Sequence, residues 1–189
     1  MLIDDDINYC LAVLEKGGTI LYPTDTVWGI GCDATNPAAV EKIFCIKKRN
    51  EEKSMIILVG EEEEIAMYTN HPDPVIFDFI KGSMSPTTVI YQYAKDLAHN
   101  VINEDGSIGI RLVKDKFCRR LIKEFGKPIV STSSNISGYP PPVFFHDIDV
   151  EIKNGVDYIV QHRQDDETPA KPSTVVKLFP GGIIRILRP

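Results

Sequence analysis

The chain has 189 residues, enough for one domain or a lean pair at about 100–200 residues each. Hydrophobic residues make up 43% and charged residues 25%, and thirteen Gly with thirteen Pro exclude a collagen-like or disordered composition. Twenty-one basic residues against 27 acidic ones give a net charge of −6, which argues against coating nucleic acid by bulk positive charge.

The first element is a helix over residues 4–16. Ile7, Cys10, Leu11 and Leu14 recur at helical spacing, any of Asp4, Asp5 or Asp6 can cap it, and Gly17-Gly18 stops it. Thr19–Tyr22 reads as a short strand running into Pro23. A second helix starts near Pro37, with Asn36 as its cap and Val40, Ile43 and Phe44 as its apolar stripe. Its end carries Lys47, Lys48 and Arg49. Met55–Val59 is an apolar run of strand length. Glu61–Glu64 opens a solvated helix, and Pro74–Lys81 is a short one. Thr87–Tyr93 and Ile108–Leu112 read as strands. Asp115–Phe125 is a helix with Phe117, Cys118, Leu121, Ile122 and Phe125 on one face. A strand starts at Ile129–Ser131 and runs into a polar loop. A last helix covers Asp147–Asn154, and strands follow at Asp157–Val160, Ser173–Leu178 and Ile183–Leu187. Strands and helices alternate, so the class is α/β with a mixed sheet.

Cys10, Cys32, Cys45 and Cys118 form no CxxC pair, and no histidine stands at zinc-site spacing from them. Buried free thiols are expected, not a disulfide framework or a structural metal. The N-terminus, MLIDDDINYC, is acidic where a signal peptide is basic. No apolar run approaches the roughly 18–20 residues of a membrane span. A soluble cytoplasmic protein with no membrane partner is the expectation.

Three segments carry more polar groups than structure alone requires. Tyr22-Pro-Thr-Asp-Thr-Val-Trp-Gly29 sets two hydroxyls and a carboxylate just after a strand, where ligands of α/β sheets bind. A strand-capping Asx or ST turn uses the same residue types. Lys47-Lys-Arg49, with Lys53, can bring Lys47 and Arg49 onto one anion, or simply neutralise a helix C-terminus. Ser131-Thr-Ser-Ser-Asn-Ile-Ser-Gly138 offers five hydroxyls and an amide, enough to cradle a phosphate or carboxylate; a plain exposed turn is the other reading. There is no Walker A loop, no GxSxG elbow and no GxGxxG, and the four histidines fall in no triad pattern. What remains is anion binding without a protein nucleophile, which suits nucleotidyl chemistry.

Together these segments resemble the YrdC-like family of threonylcarbamoyl-AMP synthases over nearly the whole chain. The resemblance rests on Gly17–Ala34 with its PTDT loop, and on Ile43–Ser54 with Lys47 and Arg49 as a K-x-R element. It rests also on Ser131–Pro140 with Ser133 and Asn135 as an S-x-N element, on IGIRLV at 108–113 and on KPSTVVKL at 171–178. It implies a single twisted α/β domain over residues 1–189, with a mixed sheet and a large concave cleft. It implies a reaction of L-threonine, bicarbonate and ATP, with Mg²⁺ on the phosphates, giving L-threonylcarbamoyl-AMP and pyrophosphate. A separate transferase complex then passes the group to tRNA. The extra C-terminal domain of longer members is not expected.

By position, the resemblance puts Thr24, Thr26, Arg111, Ser131 and Ser173 on threonine. It puts Lys47, Arg49, Lys53, Ser107, Ser133, Asn135 and Arg188 on ATP, with Arg185 competing with Arg188, and makes Lys47 and Arg49 the catalytic pair. Departures from the family pattern are Asn50 and Ser54 in place of prolines, Leu58 in place of a histidine, Trp28 in place of a tyrosine, and Ser85 in place of a glycine. The family is also described as binding tRNA or double-stranded RNA, so a non-catalytic RNA-binding module is the alternative. A third option is a carbamoyl-adenylate enzyme with another acceptor. Charge is uneven along the chain. Residues 111–127 hold Arg111, Lys114, Lys116, Arg119, Arg120, Lys123 and Lys127 against Asp115 and Glu124, a local +5. That cluster is expected to make the cleft positive.

Overall fold

The computed structural model describes residues 3–49, 55–70, 72–169, 171–179 and 181–189. Helix α1 spans Ile3–Glu15 and buries Ile7, Cys10 and Leu14. It leads into β1 (Ile20–Tyr22), and a six-residue loop, Pro23–Trp28, joins β1 to β2 (Gly29–Gly31) as an antiparallel pair. The sequence pattern did not yield β2, because two of its three residues are glycine, which has poor strand propensity. The reason for glycine is spatial. A Cβ on Gly31 would lie 2.7 Å from both Tyr22 Cε1 and Val130 O.

Helix α2 (Pro37–Lys47) starts as expected, with the Asn36 side chain accepting from the N–H groups of Ala38 and Ala39. Strand β3 (Ile56–Val59), α3 (Glu62–Tyr68), α4 (Val75–Gly82), β4 (Thr87–Tyr91) and β5 (Ile108–Leu112) follow. A 3₁₀ turn at His99–Val101, packed on α2, interrupts the segment before β5. Helix α5 (Lys116–Phe125) is capped by Asp115, which accepts from Cys118 N, and it packs on α1. Strand β6 covers Ile129–Ser133. Helix α6 is shorter than its pattern, Val150–Gly155, because a 3₁₀ turn takes Phe145–Asp147 and Asp149 is the cap. Strands β7 (Tyr158–Ile159), β8 (Thr174–Phe179) and β9 (Ile183–Arg188) complete the chain. No described helix is long and apolar enough to cross a membrane.

Among the described residues, nine strands form one mixed sheet in the order β7-β1-β2-β6-β3-β5-β4-β8-β9. The pairs β1/β7, β3/β5 and β4/β8 are parallel and the rest antiparallel. Register aligns Arg111 of β5 with Thr88 of β4 and Leu58 of β3, and Thr88 with Val175 of β8. Alternation therefore puts Thr88, Arg111, Leu58 and Val175 on one face. Val89, Ile110 and Val176, fully buried, lie on the other. One continuous apolar cluster runs from α1 to β8.

Asp6 is not the helix cap its position suggested. It is fully buried and accepts from Tyr158 Oη at 2.7 Å, Gln161 N at 2.9 Å and His162 N at 2.9 Å. It thus ties the first helix to the chain leaving β7. Replacing Asp6 with Ala strands these donors in the interior, which is expected to cost about 3 kcal/mol. A lowered urea midpoint with an unchanged slope would report it.

Candidate functional site

The loop Pro23–Trp28 is held from several sides. Thr24 Oγ1 donates to Val27 O at 2.9 Å, accepts from Thr26 N at 3.0 Å, and lies 3.0 Å from Thr26 Oγ1. The Cys118 thiol donates to Pro23 O, and Lys114 N donates to Asp25 Oδ2. Arg111 reaches the loop from β5, with NH2 3.4 Å from Thr24 Oγ1 and 3.3 Å from Asp25 Oδ1. Its side chain is 4% exposed, so Asp25 is the counter-charge that makes its burial tolerable. Arg111 Nε has no hydrogen-bond partner among the described residues, and its register neighbour Leu58 offers only methyls.

At the end of α2 the chain turns through Lys48, which adopts the left-handed region at φ +50°. Its N–H donates to Cys45 O, and Arg49 N donates to Phe44 O, closing the helix in the manner usually left to glycine. The turn separates neighbouring cations. Lys48 points out to Glu151. Arg49 NH1 donates to Thr132 Oγ1 at 3.0 Å, and desolvation lowers its pKa. Lys47 is buried, its amine donating to the carbonyls of Ser133 and of Asn135. Burial, aided by the charge of Arg49, brings the Lys47 pKa from its ordinary 10.5 down to about 7.

A cavity of about 210 Å³ gathers most of the expected residues. Arg49, Arg111 and Arg188 line it from α2's end, β5 and β9, with Thr26, Ser131, Ser133 and Ser173 between them. Arg188, not Arg185, faces this cavity, and its guanidinium donates to Ser173 O at 2.8 and 3.1 Å. Ser173 Oγ in turn lies 2.8 Å from Thr88 Oγ1. A larger cavity, about 590 Å³, is lined by Ser107, Ile90, Asn103, Asp105 and Lys177. Register places Ile90 and Lys177 on the same sheet face as Thr88 and Arg111. Gly109 is the register neighbour of Ile56, which lines the first cavity, and of Ile90, which lines the second, and a Cβ there would come 2.9 Å from Ile56 Cγ2.

Other expected residues lie apart. Thr24 is buried beneath the first cavity as the hub of its loop. Lys47 braces the Ser133–Asn135 backbone rather than lining the cavity. The Asn135 amide turns to Ile136 O and Tyr139 O, on the far side of that loop. Ser107 sits in the larger cavity with its hydroxyl on Asp105. Lys53 lies outside the described residues. Asp25, Thr88 and Thr132 support Arg111, Ser173 and Arg49, roles that the sequence reading does not assign. Asp25 is the carboxylate of the PTDT loop and Thr132 lies in the Ser131–Pro140 segment, which is the signal that could have found them.

The +5 of residues 111–127 does not belong to the cleft. Arg119 pairs with Glu61, Arg120 with Asp4 and Glu124, and Lys127 with Asp33. Only Arg111 of that group lines the first cavity. The site's positive character comes from arginines contributed by three separate elements.

The Sua5_yciO_yrdC family profile, described as telomere recombination, matches residues 12–189. The threonylcarbamoyl-AMP synthase of Photobacterium profundum is 33% identical over 142 residues, which cover 72% of this chain and 76% of the relative. That of Pseudoalteromonas translucida is 29% identical over 182 residues, covering 95% and 96%. The crystal structure of P. abyssi Sua5 complexed with L-threonine superposes with a TM-score of 0.83 at 23% identity. It covers 97% of this chain, which spans about half (53%) of the Sua5 chain. That likeness establishes a shared fold, and the profile establishes the kinship: the chain belongs to the Sua5/YciO/YrdC family.

Proposed function

We propose that this protein is an L-threonylcarbamoyl-AMP synthase acting on L-threonine, bicarbonate and ATP. The observation that carries the reading is the setting of Arg111. Its guanidinium is buried, keeps an unpartnered Nε, and lines a cavity with the hydroxyl residues Thr26, Ser131 and Ser173. A buried cation of this kind suits a carboxylate, and the surrounding hydroxyls suit the ammonium and hydroxyl of threonine. Arg49 and Arg188 offer charge to a second anion in the same space, and the cavity at Ser107 leaves room for the rest of a nucleotide.

The threonine amine attacks CO₂ derived from bicarbonate and forms a carbamate. A carbamate oxygen attacks the α-phosphorus of ATP, and pyrophosphate leaves. The substrate is the nucleophile, so the protein's part is to align the reactants and to neutralise charge on the phosphates. The charged side chains lining the first cavity are arginines, which cannot ligate a metal. A Mg²⁺ ion would therefore travel on the ATP phosphates. The product would pass to a separate threonylcarbamoyl-transferase complex acting on tRNA. The ion pairs that occupy Arg119, Arg120 and Lys127 tell against an extended RNA-binding surface on α5.

Pyrophosphate release from ATP, Mg²⁺ and bicarbonate is expected to depend on added L-threonine. A threonine-independent signal, or none, would reject the reading. Replacing Arg49 with Ala is expected to lower that release at least about tenfold with the thermal midpoint little changed.

A second expectation concerns protons. With a pKa of about 7, the Lys47 amine is mostly neutral at pH 8. Polyphosphate arriving near Lys47 and Arg49 favours the charged amine, so ATP binding draws a proton from buffer. Calorimetric titration of ATP at pH 8 in HEPES and in Tris should give different heats, corresponding to uptake approaching about one proton. Equal heats in the two buffers would show that Lys47 does not change state.

A further inference from the structure

The connection from β7 to β8 is the longest crossing in the fold. Strand β7 is one edge of the sheet and β8 is seven strand positions away. On a flat sheet that is roughly 34 Å at about 4.8 Å per step. Residues 160–173 make the crossing, and their described part contains turns but no helix or strand. Irregular connections of this length are uncommon in compact domains and tend to be functional. The segment's first anchor is Asp6, which binds the N–H groups of Gln161 and His162. Its last is Arg188, which holds Ser173 O at the wall of the cavity.

Between them stands Arg163. Its backbone is in the left-handed region at φ +66°, which a non-glycine residue seldom adopts. Such a conformation persists where surrounding contacts over-determine it, and those contacts are on view. Arg163 NH1 donates to Thr24 O at 3.2 Å and to Asp115 Oδ2 at 3.3 Å, and Nε donates to Asp166 Oδ2 at 3.0 Å. One guanidinium therefore joins the crossing segment, the cap of α5 and the carbonyl of Thr24. The same Thr24 carries the hydroxyl that organises Thr26 and meets Arg111.

We propose that Arg163 is a positioning residue for the amino-acid end of the site, fixing the Thr24–Thr26 loop through the Thr24 carbonyl without touching substrate. The proposal rests on the reading that this loop receives threonine. It goes beyond that reading by assigning the crossing segment a part in setting affinity for one substrate and not the other. On the same reading the nucleotide is served by Arg49, Arg188 and the cavity at Ser107, whereas the bonds of Arg163 go to Thr24, Asp115 and Asp166.

Two variants test it. Arg163→Asn suits the left-handed backbone, since Asn tolerates that region, but removes the fork. Arg163→Lys keeps the charge and loses the bidentate geometry. In threonine-dependent pyrophosphate release, Arg163→Asn is expected to raise KM for threonine about tenfold while KM for ATP stays within about twofold, with Arg163→Lys between it and the wild type. A general loss of stability would move both constants or lower the thermal midpoint, and equal shifts in both constants would overturn the proposal. Hydrogen exchange supplies a readout that needs no turnover. The Thr26 amide, bonded to Thr24 Oγ1, is expected to exchange at least about tenfold faster in Arg163→Asn, while amides of β3 and β5 hold their rates. Unchanged exchange at Thr26 would overturn the clamp whether or not the enzyme makes pyrophosphate. Absence of threonine-dependent pyrophosphate in the wild type would instead overturn the synthase reading, and the exchange result would still decide the clamp.

Discussion

The burial of Arg111 is the constraint on which the rest of the site depends. A guanidinium that cannot be deprotonated and is only 4% exposed must find a counter-charge inside the protein. Asp25 provides it, from a loop far away in sequence, and Thr24 stands beside it. This pairing pins the hairpin loop of β1 and β2 over β5, which lies three positions from β2 and four from β1 in the sheet. Around that pin the other anchors make sense. The Cys118 thiol, Lys114 N and the Arg163 guanidinium each bond one backbone or carboxylate oxygen of residues 23–25. The loop is held by its oxygens, which leaves the Thr26 hydroxyl at the cavity wall.

The order of elements was legible because most of them satisfy local rules and global packing at once. Helix α2 has Asn36, Pro37 and an apolar stripe in agreement, and its start matches the expected residue. Strand β5 starts and ends where expected, its isoleucines and leucine outweighing the glycine and the one arginine between them. The failures are places where a tertiary demand overrode a local signal. Gly29 and Gly31 read as loop, because nothing in one chain segment reveals that Tyr22 and Val130 leave no room for a Cβ at position 31. Asp6 read as one of three interchangeable caps, since its partners at Tyr158, Gln161 and His162 are supplied by the far end of the chain. The start of α6 moved because the turn at Phe145–Asp147 uses residues that also suit a helix start.

The site was legible as a set of segments and less so as a geometry. Motif order brought Arg49, Arg111, Ser131, Ser173 and Arg188 to one cavity. Spacing could not say that Asn135 turns its amide away, or that Ser107 opens on a second cavity, because those outcomes depend on backbone turns within single loops. Charge counting along the chain misled for a related reason. It cannot distinguish Arg111, which faces inward from a strand, from Arg119 and Arg120, which sit on the outer face of α5 against acidic neighbours.

Charge balance also explains how several cations can share one cleft in an acidic protein. Clustered cations repel, and low-dielectric surroundings amplify the repulsion. The cleft limits that cost in two ways. Asp25 is paired with Arg111, and Lys47 can lie uncharged beside Arg49, using the two N–H donors of a neutral amine on the carbonyls of Ser133 and Asn135. Arg49 and Arg188 are then the charges that the first cavity presents to a second anion. Under the proposed function, an arriving polyphosphate would be the charge that makes protonating Lys47 favourable, so positive charge would grow as the anion came in to compensate it. A permanently charged residue at position 47 would add to the repulsion in the empty state, which is a physical reason for lysine rather than arginine in that buried position.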